Sequence, residues 1–409
     1  MQAITSSPGA RRLLTISLVA RLPLTMLSIG LLVHARHLTG SFATAGVVTG
    51  VYAVALGVGG PLLGRLADRR GQTAVLLPSA GAATALLIAV ALLPTGVSPA
   101  LLVALTAGIG LATPPVGACV RTLLPAVLPD QRDVRAAYAV EASAVELTWV
   151  CGPPLALALG ELWSTGAALA AGGLVLMLAT AAFAVQPASR AWRATGGRGP
   201  RGGSLHAPAM QTLVIVLTAV GVLFGAVEVA VTAAAAQLGS TATAGPLLAL
   251  WGAGSLAGGV LATRLGGGAH TAGGLALVLG ALTAGHLLLL PAAGSAVALG
   301  AVLLVAGAAI APTYASVYSM VDRVAATGTI TEAFAWLTTA TALGAAAGAA
   351  IAGAVADRAG PAAVFAIAGA AGALAVLVTV LRAHTLATSA PVAPTAASRP
   401  GELLTAAAC

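Results

Sequence analysis

Runs of apolar residues, each about 20 residues long, alternate along the chain with short segments that hold glycine, proline or charge. A helix of about 20 apolar residues is long enough to cross the hydrocarbon core of a bilayer. The pattern therefore predicts an all-α polytopic membrane protein. Its twelve membrane-spanning helices, numbered here span 1 to span 12, are expected at residues 13–35, 41–64, 73–93, 99–120, 135–160, 163–186, 210–237, 242–265, 271–291, 295–320, 331–355 and 361–382.

Composition supports a membrane protein, since 59% of the 409 residues are hydrophobic, only 7% are charged and the mean hydropathy is +1.00. A soluble domain of this size could not present such a surface to water. The net charge of +8 is therefore attributed to orientation in the membrane, and no nucleic-acid partner is expected. We expect no enzyme activity, cofactor or metal site, because the chain has no H-E-x-x-H or G-x-S-x-G motif and no lysine.

All 19 basic residues are arginines, and their distribution predicts the orientation of the chain. With a cytoplasmic N-terminus, sixteen of them fall in cytoplasmic segments, only Arg36 and Arg358 fall outside, and Arg21 lies within span 1. Basic residues concentrate on the cytoplasmic side of membrane proteins, so both termini are expected there. The arginine-only basic set and the excess of alanine and glycine are typical of GC-rich coding, and the expected location is the plasma membrane of a bacterium.

A segment rich in glycine and arginine near the middle of the chain divides the spans into two sets of six. It is predicted to be a flexible cytoplasmic linker between two pseudo-symmetric halves. The expected organisation is a cytoplasmic N-terminus at 1–12, an N-terminal half at 13–186, the linker at 187–209, a C-terminal half at 210–383 and a disordered cytoplasmic tail at 384–409.

The charged segment between spans 2 and 3 reads Gly-Arg-Leu-Ala-Asp-Arg-Arg-Gly over residues 64–71. We predict a tight hairpin in which Gly64 and Gly71 form the turn, Arg69 marks the cytoplasmic side, and Asp68 accepts hydrogen bonds from the N-terminus of a neighbouring helix. The segment resembles the signature loop of the major facilitator superfamily. That resemblance implies the twelve-helix fold in two halves and transport by alternating access, with this loop latching one conformation.

Four ionisable residues within the apolar runs are candidates for function, since a charge inside a bilayer normally faces a partner or a water-filled cavity. They are Arg21, Glu141, Glu146 and Glu228. Glu146 either binds a proton that couples transport or forms a structural ion pair with Arg21. Glu141 either shares the proton-coupling role or pairs with Arg132 or Arg135.

Glu228 has no evident cation within the spans, which favours a functional role. At the ends of spans 10 and 11, Asp322, Arg323 and Glu332 are expected to form gate or interface ion pairs.

Span 5 contains Cys-Gly-Pro-Pro at 151–154, and Gly152 and Pro153 are expected to kink the helix. The Gly-Pro core resembles the antiporter motif of bacterial drug/proton antiporters in the same superfamily, which implies efflux. The basic residue that such transporters carry within the fourth span has no counterpart before Arg121, which is expected at the end of span 4.

Aromatic residues within the spans are candidates for lining an apolar substrate, because flat rings suit such ligands. The candidates are Tyr138, Trp149, Phe224, Trp251, Tyr314, Tyr318 and Trp336. The single histidine of span 9, His286, is expected to be a packing residue.

The leading functional prediction is a secondary active transporter that exports a small hydrophobic or amphipathic compound in exchange for protons. Its expected partners are membrane lipid, the small-molecule substrate and protons, and the protein is expected to be a monomer. Two alternatives remain at this point: an importer or facilitator of a small metabolite, and a membrane binding or regulatory protein without transport activity.

Overall fold

The computed structural model describes residues 7–128, 130–194, 203–240 and 243–387. All regular elements in these ranges are helices. Twelve of the helical segments are long and apolar enough to cross a membrane, which confirms the predicted number of spans. Spans 1 to 12 run over Pro8–Thr39, Thr44–Arg70, Gln72–Ala91, Pro99–Val127, Gln131–Leu162, Thr165–Ala184, Pro208–Gln237, Ala244–Arg264, Ala272–Ala292, Ala296–Val324, Ile330–Ala356 and Arg358–Leu381.

Several helices begin where a serine or threonine caps them. Ser7, Ser164 and Thr271 each accept a hydrogen bond from the backbone N–H three residues later, at the starts of spans 1, 6 and 9. Such caps satisfy amides that have no partner within the helix. Span 1 ends at Gly40, whose φ of 68° is the left-handed conformation that glycine adopts most easily.

Three spans are broken helices, and span 9 consists of Ala272–Leu287 and Leu289–Ala292. Span 4 consists of Pro99–Ala112 and Val116–Val127, with the break at the Thr113-Pro114-Pro115 sequence. Span 10 consists of Ala296–Gly307 and Ile310–Val324. Because the second helix of span 4 continues to residue 127, the predicted end at residue 120 is wrong and Arg121 lies within the span.

Spans 11 and 12 follow one another almost without a loop. The helix Ile330–Leu381 is interrupted at Gly360, which has φ 73° and ψ 177°. In the linker, the structure shows a short helix at Pro187–Ala191 and a 3-10 turn at Ser204–His206, whereas residues 195–202 lie outside the described part. The predicted disordered tail begins with the helix Ala383–Ala387, and residues 388–409 also lie outside the described part.

Glycines allow spans 7 and 11 to pack backbone to backbone. A Cβ atom at Gly221 would collide with the carbonyl oxygen of Thr341, and one at Gly348 would collide with that of Val222. The two spans approach closely because these positions carry no side chain, as the small-xxx-small spacing predicts. Span 5 approaches span 1 in the same way, since a Cβ at Gly152 would overlap the hydroxyl of Thr25.

Span 5 continues as helix through Gly152 and Pro153 to Leu162. The Thr25 hydroxyl donates to the carbonyl oxygen of Thr148 at 2.7 Å. This contact joins spans 1 and 5 one turn before Gly152. The Gly-Pro sequence therefore serves close packing in this structure, while the kink stays a prediction.

Candidate functional site

A buried cluster of one carboxylate and two guanidinium groups lies in the N-terminal half. The two carboxylate oxygens of Glu141 bind Nη1 of Arg21 at 2.5 Å and Nε of Arg121 at 3.0 Å. All three side chains are buried. This Arg–Glu–Arg triad rules out two of the alternatives left open by the sequence, because Arg21 pairs with Glu141 rather than Glu146, and Glu141 pairs with neither Arg132 nor Arg135. Arg121 had been expected at the end of span 4 and was not among the predicted partners.

Arg121 connects the triad to the C-terminal half. Its guanidinium carbon lies 4.1 Å from the ring centroid of Tyr318 in span 10, a cation–π contact. Its Nη1 donates to the hydroxyl of Thr338 in span 11 at 3.4 Å. The predicted lining residue Tyr318 therefore contacts a basic residue that the sequence had placed at the end of its span.

Tyr138 and Asp322 form a second polar contact between the halves. The Tyr138 hydroxyl donates to Oδ2 of Asp322 at 2.9 Å. Oδ1 of Asp322 is buried and has no hydrogen-bond partner within the described residues. Asp322 thus binds a phenol rather than forming the predicted ion pair. Tyr138 is fully buried in this structure, and its role as a substrate-lining residue stays a prediction.

An aromatic cluster follows in the C-terminal half, where three predicted lining residues lie side by side. The ring centroid of Phe224 is 5.4 Å from that of Trp251 and 6.2 Å from that of Tyr314. The indole N–H of Trp251 donates to Nε2 of His286 at 3.1 Å. Because Nδ1 of His286 lies 2.7 Å from the carbonyl oxygen of Leu282, it is the protonated ring nitrogen.

The other two predicted lining residues differ in exposure. Trp336 is partly buried against the core, whereas Trp149 is 57% exposed. Trp149 follows Glu146 by one turn of span 5 and is not packed within the protein in this structure.

Two carboxylates lie beside this aromatic cluster. Glu146 is partly exposed, and the hydroxyl of Ser255 in span 8 faces it. Glu228 is exposed on the helical face of Phe224, one turn further along span 7. In the residues described here, neither glutamate makes an ion pair. The structure therefore sets these two apart from Glu141, although all three were predicted to share a role.

The halves meet tightly at the end of the molecule where Asp68 lies, called here the Asp68 end. The Asp68 carboxylate accepts hydrogen bonds from the backbone N–H groups of Thr331 at 3.0 Å and Glu332 at 2.9 Å, at the start of span 11. The predicted contact with a helix N-terminus is thus observed, and the helix dipole favours it.

The predicted hairpin is shorter than expected, because span 2 remains helical to Arg70 and only Gly71 leaves the helix, with φ 89°. Gly64 therefore forms no turn. It lies within the helix, where an added Cβ would stand 3.0 Å from the carbonyl oxygen of Thr331. Arg69 is exposed at the end of the helix. The glycine at 64 thus allows spans 2 and 11 to approach.

The end of the linker also contacts span 11. The backbone N–H of Ser204 donates to Oε1 of Glu332 at 3.3 Å. The Arg65 guanidinium lies 3.9 Å from the other carboxylate oxygen of Glu332, as expected for an ion pair at this position. Glu332 therefore joins span 2, span 11 and the linker.

The loop between spans 8 and 9 makes the matching contact with the N-terminal half. A Cβ atom at Gly267 would collide with the backbone of Arg135 in span 5. Within its own half, the loop is held by the N–H of Ala269, which donates to Oγ of Ser316 in span 10 at 2.9 Å. Partial burial and the nearby charges of Arg135 and Arg323 lower the pKa of His270 in this loop. Both halves therefore contribute a loop that closes the Asp68 end.

The halves separate toward the opposite end, called here the Trp149 end. On span 2, one helical face is packed against span 11 at residues 57, 60, 64 and 68, and the same face is exposed at 46, 50 and 53. On span 11, that change falls between the buried Thr339 and the exposed Ala342, Ala346 and Ala350. The interface is thus closed at one end and open at the other.

Comparison with known proteins agrees with this architecture. Residues 13–331 match the profile of the Major Facilitator Superfamily. The chain belongs to this superfamily. It is a multi-pass membrane protein and a transporter rather than an enzyme. No curated protein sequence matches the chain.

Solved transporter structures have the same fold. The human organic anion transporter MFSD10 (TETRAN) superposes with a TM-score of 0.69 at 20% identity, over 91% of this chain and 100% of that one. A bacterial homologue of the iron transporter ferroportin, in an outward-facing state, gives 0.70 at 16% identity over 91% and 98%. The proton:xylose symporter XylE gives 0.64 at 13% identity over 90% and 94%. At these identities the likeness establishes the fold alone.

Proposed function

We propose that this superfamily member is a proton-coupled exporter of small hydrophobic or amphipathic compounds, working by alternating access. The proposed direction, export, is supported by the Gly-Pro sequence in span 5, which resembles the antiporter motif. With the N-terminus in the cytoplasm, the Asp68 end faces the cytoplasm and the structure is outward-facing. Substrate binds between the halves. When the loops at the Asp68 end are closed, they block the cytoplasmic exit and the substrate leaves to the outside.

The observation that carries the proposal is Glu146, a carboxylate at the interface of the halves without an ion-pair partner in the described residues. An ionised carboxylate inside the membrane is costly unless it is paired or hydrated. Glu146 therefore takes up a proton when its surroundings close and releases it when they open to water. This exchange links proton movement to the conformational change.

The triad supports the same mechanism by staying charged. Glu141 binds two guanidinium groups, and protonating it would leave both buried without a counter-charge. Glu141 and Arg21 are thus proposed to hold spans 1, 4 and 5 together. Arg121 is proposed to link this triad to the C-terminal half through its contact with Tyr318. Glu146 and Glu228 are the proposed proton-coupling residues.

Transport in liposomes tests the proposal. The purified protein is reconstituted, a pH gradient is imposed, and a panel of cationic, neutral and anionic amphipathic compounds is screened for movement that follows the gradient. Glu146→Gln and Glu228→Gln are expected to abolish the response to the gradient. Glu161→Gln is the matched control, because Glu161 is exposed at the far end of span 5.

Movement that ignores both the gradient and the substitutions would instead identify a facilitator. Absence of movement for every compound in the panel would favour a membrane binding or regulatory protein.

A further inference from the structure

Three basic residues lie together where the halves meet at the Asp68 end. Arg135 is near the start of span 5, Arg323 is in the last turn of span 10, and His270 is in the loop between spans 8 and 9. Gly267 of that loop contacts the backbone of Arg135, and the Arg323 guanidinium donates to the carbonyl oxygen of His270. The N-terminal half thus provides one member of this basic cluster and the C-terminal half provides two.

The members of the basic cluster are close enough to affect one another. Partial burial and the positive charges of Arg135 and Arg323 lower the pKa of His270, so its imidazole is neutral at pH 7. The two guanidinium groups keep their charge at any physiological pH. Because like charges repel, holding them at the contact between the halves opposes closure of the Asp68 end.

No carboxylate of the described residues compensates this charge. Neither Arg135 nor Arg323 forms an ion pair there. Asp322 precedes Arg323 in the chain, but its Oδ2 accepts a hydrogen bond from Tyr138. Asp133 lies two residues before Arg135, and side chains at that spacing point to different faces of a helix. The basic cluster therefore lacks a counter-charge of its own half or of the other.

The surface beside the basic cluster is apolar. Span 8 ends at the exposed Arg264, three residues before Gly267. Leu261 and Leu265 lie on either side of Arg264 in the sequence and are 57% and 78% exposed. Exposed leucines at the end of a membrane-spanning helix contact lipid tails, and an arginine beside them lies at the level of the lipid headgroups. Positive charge and a lipid-facing apolar surface thus adjoin each other.

We infer that Arg135, Arg323 and His270 bind one phosphate group across the two halves, and that this anion holds the Asp68 end closed. Guanidinium groups bind phosphate oxygens through paired N–H donors, and an anion beside His270 favours its protonated form. Basic pockets between membrane-spanning helices are suited to lipid headgroups. The adjoining leucines favour an anionic phospholipid as the source of the phosphate over free phosphate in solution.

The bound anion regulates conformation and is not a transported substrate. It contacts both halves only while Gly267 lies against Arg135, so it binds the closed Asp68 end more tightly than the open one. Such a difference in affinity shifts the population toward the closed form. The inference goes beyond the Asp68 contact, which joins spans 2 and 11, and it does not depend on the transported compound or on proton coupling.

Native mass spectrometry of the purified full chain in detergent measures lipid binding. Phosphatidylglycerol and phosphatidylcholine with the same acyl chains are titrated separately, and the bound lipid is counted. Phosphatidylglycerol is expected to bind more tightly, and Arg135→Gln and Arg323→Gln are each expected to weaken it about fivefold. Arg135→Lys keeps the charge and should retain most of the binding. Arg12→Gln is the matched control, because it removes an exposed charge from the start of span 1, and it should bind as the wild type does.

A conformational readout distinguishes the two sources of phosphate. Spin labels at the exposed positions Arg70 and Thr327 report the separation of the halves in nanodiscs. Adding phosphatidylglycerol to phosphatidylcholine nanodiscs is expected to narrow the distance distribution in the wild type and to leave it unchanged when Arg135→Gln and Arg323→Gln are combined. Inorganic phosphate in the buffer should have little effect. If inorganic phosphate alone narrows the distribution and both arginines are required, the site stands and its ligand is free phosphate.

Thermal unfolding of every variant establishes that it is folded before binding is compared. Three results would overturn the inference: phosphatidylglycerol binding no more tightly than phosphatidylcholine, binding that is unchanged in the combined variant, or an equal loss in Arg12→Gln. Binding without any change in the spin-label distances would overturn the closure of the Asp68 end by the anion. Failure of the proposed function would leave these results untouched, since neither measurement involves transport.

Discussion

At the scale of single residues, the Arg–Glu–Arg triad is the most constrained feature of the site. Glu141 is fully buried and provides the only counter-charge that the described residues bring to Arg21 and Arg121. A shared carboxylate makes the two guanidinium groups depend on one residue. Its loss should affect stability rather than substrate selectivity.

Glu141→Gln is predicted to destabilise the protein by about 3–5 kcal/mol, because it leaves buried charge without compensation. Chemical unfolding in detergent micelles measures the change. Glu161→Gln, an exposed glutamate of the same helix, should lie close to the wild type. An equal stability of the two variants would contradict a structural role for the triad.

The Trp251–His286 hydrogen bond gives a second prediction at this scale. His286→Phe should cost about 1–3 kcal/mol, since it leaves the buried indole N–H without an acceptor. His286→Gln retains an acceptor and should recover much of the loss. The free energy of unfolding of both variants tests this prediction. Equal losses in the two variants would show that His286 stabilises the protein by filling space and not by accepting the hydrogen bond.

The sequence predicted Arg21, Glu141, Glu146 and Glu228 as charged residues inside the membrane, but it missed Arg121 and did not show which of these residues are partners. Counting along a helix gives depth, so Arg21, Glu146 and Glu228 could all be placed near the middle. Pairing also depends on the rotation of each helix, which an apolar sequence rich in alanine does not reveal. Ser255 was missed for the same reason, because an isolated serine in an apolar run gives no signal.

At the scale of helices, the contact between spans 2 and 11 fixes which end of the protein is closed. Asp68 caps the start of span 11 through two backbone N–H groups, and Gly64 allows the helices to approach. The contact depends on small size at residue 64 and on charge at residue 68.

Gly64→Ala is predicted to loosen the Asp68 end, because its Cβ would stand 3.0 Å from the carbonyl oxygen of Thr331. Gly46→Ala is the matched control in the same helix, where a Cβ would meet nothing within 4 Å. Spin labels at the exposed positions Arg70 and Thr327 report the separation of the two helix ends. A longer or broader distance distribution is expected for the first variant only, and unchanged distances in both would refute a gate held by close packing.

The linker end also contributes to this gate. Gly203 has φ 67°, and a Cβ there would collide with the Glu332 carboxylate. Gly203→Ala should therefore displace Ser204 from Glu332 and shift the same spin-label distance toward the open state. Gly239→Ala carries a comparable backbone cost, with φ 103° and nothing within 4 Å of the added Cβ, and should leave that distance unchanged.

The number of helices could be predicted because each apolar run has the length of the bilayer core. Their ends were less certain where proline, glycine or arginine interrupts a run. The Thr113-Pro114-Pro115 sequence breaks span 4 without ending it. In the second helix of span 4, Arg121 lies on a buried face that packs toward Glu141. The rotation of this helix is determined by tertiary contacts, which the local sequence does not reveal.

At the scale of the whole molecule, the two halves are joined at the Asp68 end and separate toward the Trp149 end. The halves also differ in the side chains they bring to the interface, since the triad belongs to the first half and the aromatic cluster to the second. Movement of one half against the other would therefore change the surroundings of Glu146, which lies between them.

The open interface predicts a gradient of accessibility along span 11. In a chain whose exposed Cys151 is replaced by serine, Ala346→Cys should react quickly with a membrane-impermeant maleimide added from the Trp149 end. Ala335→Cys, on the same face but buried, should react at least tenfold more slowly. Equal rates would show that the halves do not separate as described.

Proton movement driven by substrate tests the central claim most directly. Liposomes that contain the protein and a trapped pH-sensitive dye receive a transported compound on one side, with no pH gradient imposed. The account predicts that protons move opposite to the compound, that Glu146→Gln abolishes this proton flux, and that Glu161→Gln preserves it. Movement of the compound with no proton flux in the wild type would contradict coupling through these carboxylates.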